Sequence, residues 1–173
     1  MMDERDAASL MARAIPKTAG VWADVGAGAG TFTRVLLQLL GAGSRVYAID
    51  RDRRALSRLT GDGVIPVIAD LAQPFEIPGD PAPQLDGILC ANILHYFRDP
   101  AELLRRLVVW LGPQGRMVIV EYDGRGPNRW VPYPVPRSRL PNLVRSVGLK
   151  PPAITAERSS AYGGMIYVAV AER

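Results

Sequence analysis

The sequence holds one cysteine, Cys90, and one histidine, His95, among its 173 residues. A lone cysteine excludes an internal disulfide and any site built from several thiolates. A lone histidine excludes a zinc centre of histidines, so no metal is expected. No apolar run approaches the ~20 residues that a membrane-spanning helix needs, and no membrane partner is expected. The opening Met1-Met2-Asp3-Glu4-Arg5-Asp6 is too charged and too acidic to begin a secretory signal, which makes the cytoplasm the expected compartment. Lysine is scarce too: Lys17 and Lys150 are the only two among 21 basic residues. The formal charge is +4, and its arginines are scattered rather than massed in one tract. The densest run, Arg51, Arg53, Arg54 and Arg58, has helical spacing. It reads either as a solvated helix face or as a nucleic-acid patch, so nucleic acid stays open as a partner.

What is present is an ordinary globular composition, 48% hydrophobic and 22% charged, at a length suited to one domain over residues 1–173. Apolar strands alternate with amphipathic helices. A helical lead-in over 3–15 carries Ala7, Leu10, Met11 and Ala14 at helical spacing. Strands are expected over 21–25, 45–49, 64–69, 85–91 and 116–122, with helices over 31–40, 52–59 and 140–147. Asp99-Pro100 starts a further helix, with Leu103, Leu104, Leu107, Val108 and Leu111 as its buried stripe. The segment 71–84 holds four prolines and reads as a surface loop, and 123–137 as a Pro- and Gly-rich one. Two last strands, 153–157 and 165–171, form a hairpin. The pattern predicts an α/β, doubly wound, Rossmann-like sandwich. Its seven-stranded sheet is mostly parallel, with an antiparallel C-terminal strand.

Such sheets bind ligands beyond the carboxyl ends of their strands, where the strand order reverses. The turn Gly26–Gly30, Asp50, Asp70 and Asn92 all fall at strand carboxyl ends and are expected along that rim. Gly26, Gly28 and Gly30, with Ala27 between, sit between a strand and a helix, where backbone must turn sharply and approach a ligand. The dinucleotide fingerprint wants a sixth-position glycine, and Thr31 stands there instead. Asp24, just before the turn, can hold an ammonium group and sits badly beside a pyrophosphate. Asp50 ends the second strand, placed either to accept both hydroxyls of a ribose or to cap a helix. Asp70 ends the third, placed either to accept from an adenine amino group, with Leu71 beside it, or to close a turn.

Residues 21–31, Val21-Trp22-Ala23-Asp24-Val25-Gly26-Ala27-Gly28-Ala29-Gly30-Thr31, resemble the first motif of class I S-adenosylmethionine-dependent methyltransferases. Val46–Asp50, Val67–Leu71 and Asp86–Phe97 are similar to the next three, the last in the form common among small-molecule members of the methyltransferase type 11/25 kind. Leu111–Val120 resembles the family's turn into strand five. The resemblance spans about residues 8–171. It implies that S-adenosylmethionine is the cofactor, with Asp24 and the backbone of Gly26, Ala27, Gly28 and Gly30 holding its methionine portion. Asp50 would bind the ribose, Arg51 would lie beside the adenine, Asp70 and Leu71 would read the adenine edge, and carbonyls near Ala91 or Asn92 would receive the ammonium.

Methyl transfer is an in-line substitution, so positioning supplies much of the catalysis, and a base is needed only where the acceptor loses a proton. His95 lies just after the fourth strand, placed to orient or deprotonate an acceptor or simply to pack at a helix start. Cys90, inside an apolar strand, reads as core. The loop after strand five, residues 121–137, brings Tyr122, Asn128, Trp130 and Tyr133 to where this family contacts its acceptor, with Tyr96 nearby. It serves equally as a stiff connection to the last helix. The expected activity is methyl transfer to a small molecule. A homo-oligomer or a partner subunit closing the site is compatible with the short N-terminal helix. The other readings are a non-catalytic S-adenosylmethionine-binding subunit and an NAD-binding oxidoreductase.

Overall fold

The computed structural model describes residues 2–79 and 84–173, so part of the proline-rich 71–84 segment lies outside the described residues. Helix α1 (Glu4–Met11) is capped by Asp3, whose side chain accepts from the Asp6 amide. It ends at Met11, earlier than its periodicity predicts, and turns bonded to the Met11 carbonyl carry the chain on to Ile15. Ala14 and Ile15 stay buried beyond the helix end. Strand β1 (Val21–Val25), helix α2 (Thr31–Leu40), strand β2 (Arg45–Asp50), helix α3 (Arg53–Arg58) and strand β3 (Val64–Ile68) follow in turn. Strand β4 (Leu85–Ala91) leads through a 3-10 turn at Leu94–Tyr96 to helix α4 (Pro100–Val108). Asp99 caps that helix by accepting from Ala101 N, with Pro100 in the first turn where its missing N–H costs nothing.

Strand β5 (Leu111–Asp123) starts sooner than expected, and Leu111 belongs to it rather than to the stripe of α4. Leu111 pairs with Leu85, and the register then shifts so that Gly87 pairs with Arg116. Residues 112–115 bulge between the two pairings. Gly115 permits this, since a Cβ there would lie 2.9 Å from the Leu85 carbonyl oxygen. Helix α5 (Leu140–Arg145) and strands β6 (Ala153–Ser159) and β7 (Met165–Glu172) complete the order.

The strands form one sheet in the order β3-β2-β1-β4-β5-β7-β6. Only β7 runs against the rest: it pairs antiparallel with both β5 and β6, which places β6 at the edge. Side chains alternate between two covered faces, as a buried parallel sheet requires. On one face Ile88, Cys90, Met117 and Ile119 meet Leu103, Leu104 and Leu107 of α4 and Leu143 of α5. On the other, Trp22, Leu89, Val118 and Val168 meet Leu10 and Met11 of α1 and Leu36 of α2. Each fully buried leucine contributes about 1.5–3 kcal/mol of hydrophobic stabilisation. Trp22 is fully buried over Gly87, its partner across β1 and β4, where any Cβ would run into the indole ring. The chain leaves β1 toward β2 and β3, then returns to β4 on β1's other side. The β1–β4 boundary is therefore the switch point, where a crevice opens.

Candidate active site

Beyond Val25 the chain turns through Gly26, Gly28 and Gly30, with φ of +80°, +53° and +83°. In that left-handed region a side chain is strained. A methyl on Gly26 would lie 2.7 Å from Ile93 Cδ1, and one on Gly30 would strike Leu59. At Gly28 the nearest atom would be the Gly26 carbonyl oxygen, 4.0 Å away, so the space over it is open. The Gly26 and Ala27 amides donate to the Ile49 carbonyl at 2.8 and 3.0 Å. The Gly28 amide donates to Asp50 Oδ2 at 2.8 Å, and the Asp52 amide to Asp50 Oδ1 at 2.8 Å.

Asp24, just under the turn, is buried. Its Oδ2 accepts from Thr33 Oγ1 at 2.6 Å, while Oδ1 has no partner. Burial pushes its carboxyl up to about 7, against the opposing effect of the Thr33 bond. Asn92 adopts φ +54°, uncommon for a residue with a side chain, and its buried Oδ1 is also unpartnered. Buried acceptors without donors are costly and rare. Two of them sit at the carboxyl ends of adjacent strands β1 and β4, and together they suit a ligand that brings N–H donors and positive charge.

Two cavities meet at this turn. The smaller, about 390 Å³, is bordered by Asp50, Arg51, Asp70, Leu71 and Phe97. Asp70 is exposed and Oδ1 accepts from Ala72 N at 2.9 Å, so it closes its turn and still borders the cavity. Arg106 braces the same turn, donating to the carbonyls of Leu71 and Gln73. The larger cavity, about 830 Å³, is bordered by Ala27, Ala91, Asn92, His95, Tyr122 and Trp130, among others. Gly26 and Tyr96 border both.

His95 is buried beneath the larger cavity. Its Nδ1 lies 2.7 Å from Glu121 Oε2, and its amide donates to Glu121 Oε1 at 3.2 Å. Glu121 itself is fully buried. A carboxylate at Nδ1 fixes the proton on that nitrogen and leaves Nε2 basic. The His95 ring lies 4.4 Å from that of Tyr96 and 5.9 Å from that of Tyr122. Burial raises the Tyr122 hydroxyl above its ordinary value, opposed by the positive charge of Arg125.

Of the loop residues singled out in the sequence, Tyr122 and Trp130 border the larger cavity, whereas Asn128 and Tyr133 border neither. Asn128 Oδ1 accepts from the amides of Trp130 and Val131 at 2.8 and 3.0 Å, which shapes the loop from within. The Tyr133 amide donates to the His95 carbonyl at 2.9 Å, tying the loop to the 3-10 turn. Glu121 is the residue that the sequence reading missed. Its only sequence signal is an acid closing the apolar run Met117–Val120, the signal that marked Asp50 and Asp70. The arginines of the α3 region, Arg51, Arg53, Arg54 and Arg58, are all exposed. Among the described residues no helix is long and apolar enough to cross a membrane, and no cluster of ligating side chains suits a metal ion.

No curated protein matches the sequence. The fold is shared with many solved structures. One is the 1,6-didemethyltoxoflavin-N1-methyltransferase of Burkholderia thailandensis, solved with 1,6-didemethyltoxoflavin and S-adenosylhomocysteine. It is 25% identical, with a TM-score of 0.73, over 98% of this chain and 77% of the other. A putative methyltransferase of Bacillus halodurans matches at TM-score 0.74 and 14% identity, over 97% of this chain and 98% of its own. Human N-acetylserotonin methyltransferase matches at TM-score 0.70 and 16% identity over 96% of this chain. This chain spans about half the length of some of these proteins, 51% in the human case. The family described as a methyltransferase domain matches residues 2–151. The chain therefore belongs to the family described as a methyltransferase domain.

Proposed function

We propose that this protein methylates a hydroxyl of a small aromatic acceptor, with His95 as the general base and Glu121 as the residue that positions it. The observation that carries this reading is the buried 2.7 Å contact between His95 Nδ1 and Glu121 Oε2 at the wall of the larger cavity. S-adenosylmethionine, when bound, supplies a methyl group on a sulfonium, an electrophile that needs no further activation. The donor set fits that molecule. Asp24 and Asn92 offer unpartnered oxygens to its ammonium, and the open face of Gly28 admits its methionine portion. Both oxygens of Asp50 keep a free lone pair for ribose hydroxyls after accepting from Gly28 and Asp52. Arg51, Asp70 and Leu71 would flank the adenine in the smaller cavity.

In the larger cavity, Tyr96, Tyr122 and Trp130 supply aromatic walls for a flat acceptor. Asn128 and Tyr133 hold the loop in place rather than touch the acceptor. His95 Nε2 would take the hydroxyl proton as the oxygen attacks, and the imidazolium formed would be stabilised by Glu121. The Burkholderia thailandensis relative, solved with 1,6-didemethyltoxoflavin bound, supports a small-molecule acceptor here. The protein acts in this reading as one cytoplasmic domain.

Calorimetric titration with S-adenosylhomocysteine and with NAD, followed by a screen of phenolic metabolites using labelled methyl donor, tests the proposal. Binding of the homocysteine nucleoside with label transfer to a phenol supports it. Binding of NAD alone overturns it, and transfer that requires a second added chain favours the binding-subunit reading.

A further inference from the structure

The charges bordering the larger cavity are paired, with one exception. Arg158 meets Asp6 at 2.8 Å, and His95 meets Glu121 at 2.7 Å. Arg125 is half-buried and has no carboxylate within ion-pair distance among the described residues. The nearest acid in sequence, Asp123, is taken by Arg137, whose Nε lies 2.6 Å from Oδ2 and whose amide donates to Oδ1 at 3.3 Å. The fold thus neutralises Asp123 with one arginine and leaves the other facing the cavity alone.

Arg125 is also held in place. Gly164, in the turn between β6 and β7, has φ +69°, and a methyl there would sit 3.0 Å from Arg125 Cγ. The hairpin therefore closes onto the stem of Arg125. The guanidinium carbon lies 5.1 Å from the centre of the Tyr122 ring. A guanidinium stacked on an aromatic ring keeps its N–H fork free for a carboxylate in its own plane. An unpaired cation in a partly desolvated wall is costly unless a ligand brings the counter-charge.

We infer that Arg125 determines acceptor specificity and that the acceptor is an aromatic hydroxy acid whose carboxylate it receives. The inference rests on the methyltransferase reading above. Tyr122 is the common reference: the His95 ring lies 5.9 Å from it and the Arg125 guanidinium 5.1 Å. Base and cation are therefore gathered around one ring at the wall of the same cavity. A hydroxybenzoate or hydroxycinnamate carries on one flat frame both the hydroxyl that His95 would deprotonate and the carboxylate that Arg125 would receive. A neutral phenol would leave the guanidinium unpaired.

The test uses the full chain loaded with S-adenosylhomocysteine and four probes: 4-hydroxybenzoate, 4-hydroxycinnamate and their methyl esters. Binding is followed by calorimetry. At least one acid is expected to bind tenfold or more tighter than its ester. In Arg125→Gln that preference falls to within twofold, and in Arg125→Lys it is partly retained, while affinity for S-adenosylhomocysteine stays the same. Equal binding of acid and ester, no binding of any probe, or a preference that survives Arg125→Gln overturns the inference. So does inorganic phosphate that displaces the acid at equal concentration, which would mark a phosphate or nucleic-acid site. Failure of S-adenosylhomocysteine itself to bind is a separate outcome: it overturns the methyltransferase reading and this inference with it.

Discussion

The amide of Gly28 donates to Oδ2 of Asp50 at 2.8 Å, so the turn after β1 is tied to the carboxylate at the end of β2. The same carboxylate accepts from the Asp52 amide through its other oxygen. Asp50 thus shapes the glycine turn as well as facing the smaller cavity.

Asp50→Ala removes both roles. Affinity for S-adenosylhomocysteine is expected to fall at least tenfold, about 1.4 kcal/mol, the scale of hydrogen bonds to a charged group. Stability should drop by about 1 kcal/mol, since water can reach the freed amides of this partly exposed turn. Calorimetry and urea denaturation measure the two effects. Unchanged affinity would remove Asp50 from the cofactor site.

Gly26→Ala and Gly28→Ala separate packing from ligand access. Both positions carry positive φ, so each substitution costs about 1 kcal/mol in backbone strain. Only at Gly26 does the new methyl collide, 2.7 Å from Ile93. Gly26→Ala should therefore lower the melting temperature more than Gly28→Ala. Gly28→Ala should remain folded and lose affinity for S-adenosylhomocysteine, because its methyl enters the open space. Thermal melts with parallel titrations decide this, and equal melting temperatures would contradict the packing argument.

Asp24 makes both stability and ligand binding depend on pH. Burial lifts its carboxyl from 3.8 to about 7 in the folded chain. The folded state therefore holds this proton more tightly than the unfolded state does. Its stabilising contribution is complete below pH 3.8, declines as pH rises, and is gone above about 7, a loss on the order of a few kcal/mol. Asp24→Asn should flatten that slope relative to the parent protein. A ligand ammonium requires the carboxylate, so affinity for S-adenosylhomocysteine should rise from pH 6 to 8 with proton release. The release is read from the buffer dependence of the binding heat. A pH-independent affinity in the parent protein would show that Asp24 does not meet the ammonium.

The strand ends were legible in the sequence because sheets put acids and glycines where apolar runs stop. That logic set the turn Gly26–Gly30, Asp50, Asp70 and Asn92 along one rim. It did not place Glu121, because only the pairing of β4 with β5 brings the end of β5 beside the turn that carries His95. Nor did it separate Trp130, at the cavity, from Asn128 and Tyr133 in the same loop. In irregular backbone no period tells which side chains point together, and Asn128 turned inward to hold the amides of its own loop. Leu111 misled for a related reason. It continues the helical spacing of α4, but Val109 and Trp110 end that helix, and pairing with Leu85 recruits Leu111 to β5.

The His95–Glu121 pair yields the sharpest catalytic prediction. His95→Gln removes the base, and label transfer to a phenolic acceptor should fall about 10²–10⁴-fold. Glu121→Gln keeps the side-chain volume but no longer fixes the Nδ1 proton or stabilises the imidazolium. Its rate should fall too. Affinity for S-adenosylhomocysteine should be unchanged in both variants, because neither residue contacts the glycine turn. Removing one member of a buried pair also destabilises the chain, so melting temperatures must be measured alongside. A Glu121→Gln enzyme that binds acceptor as the parent does and turns over at the parental rate would show that Glu121 does not position His95 for catalysis. A His95→Gln enzyme with parental turnover would show that the acceptor loses its proton without a protein base.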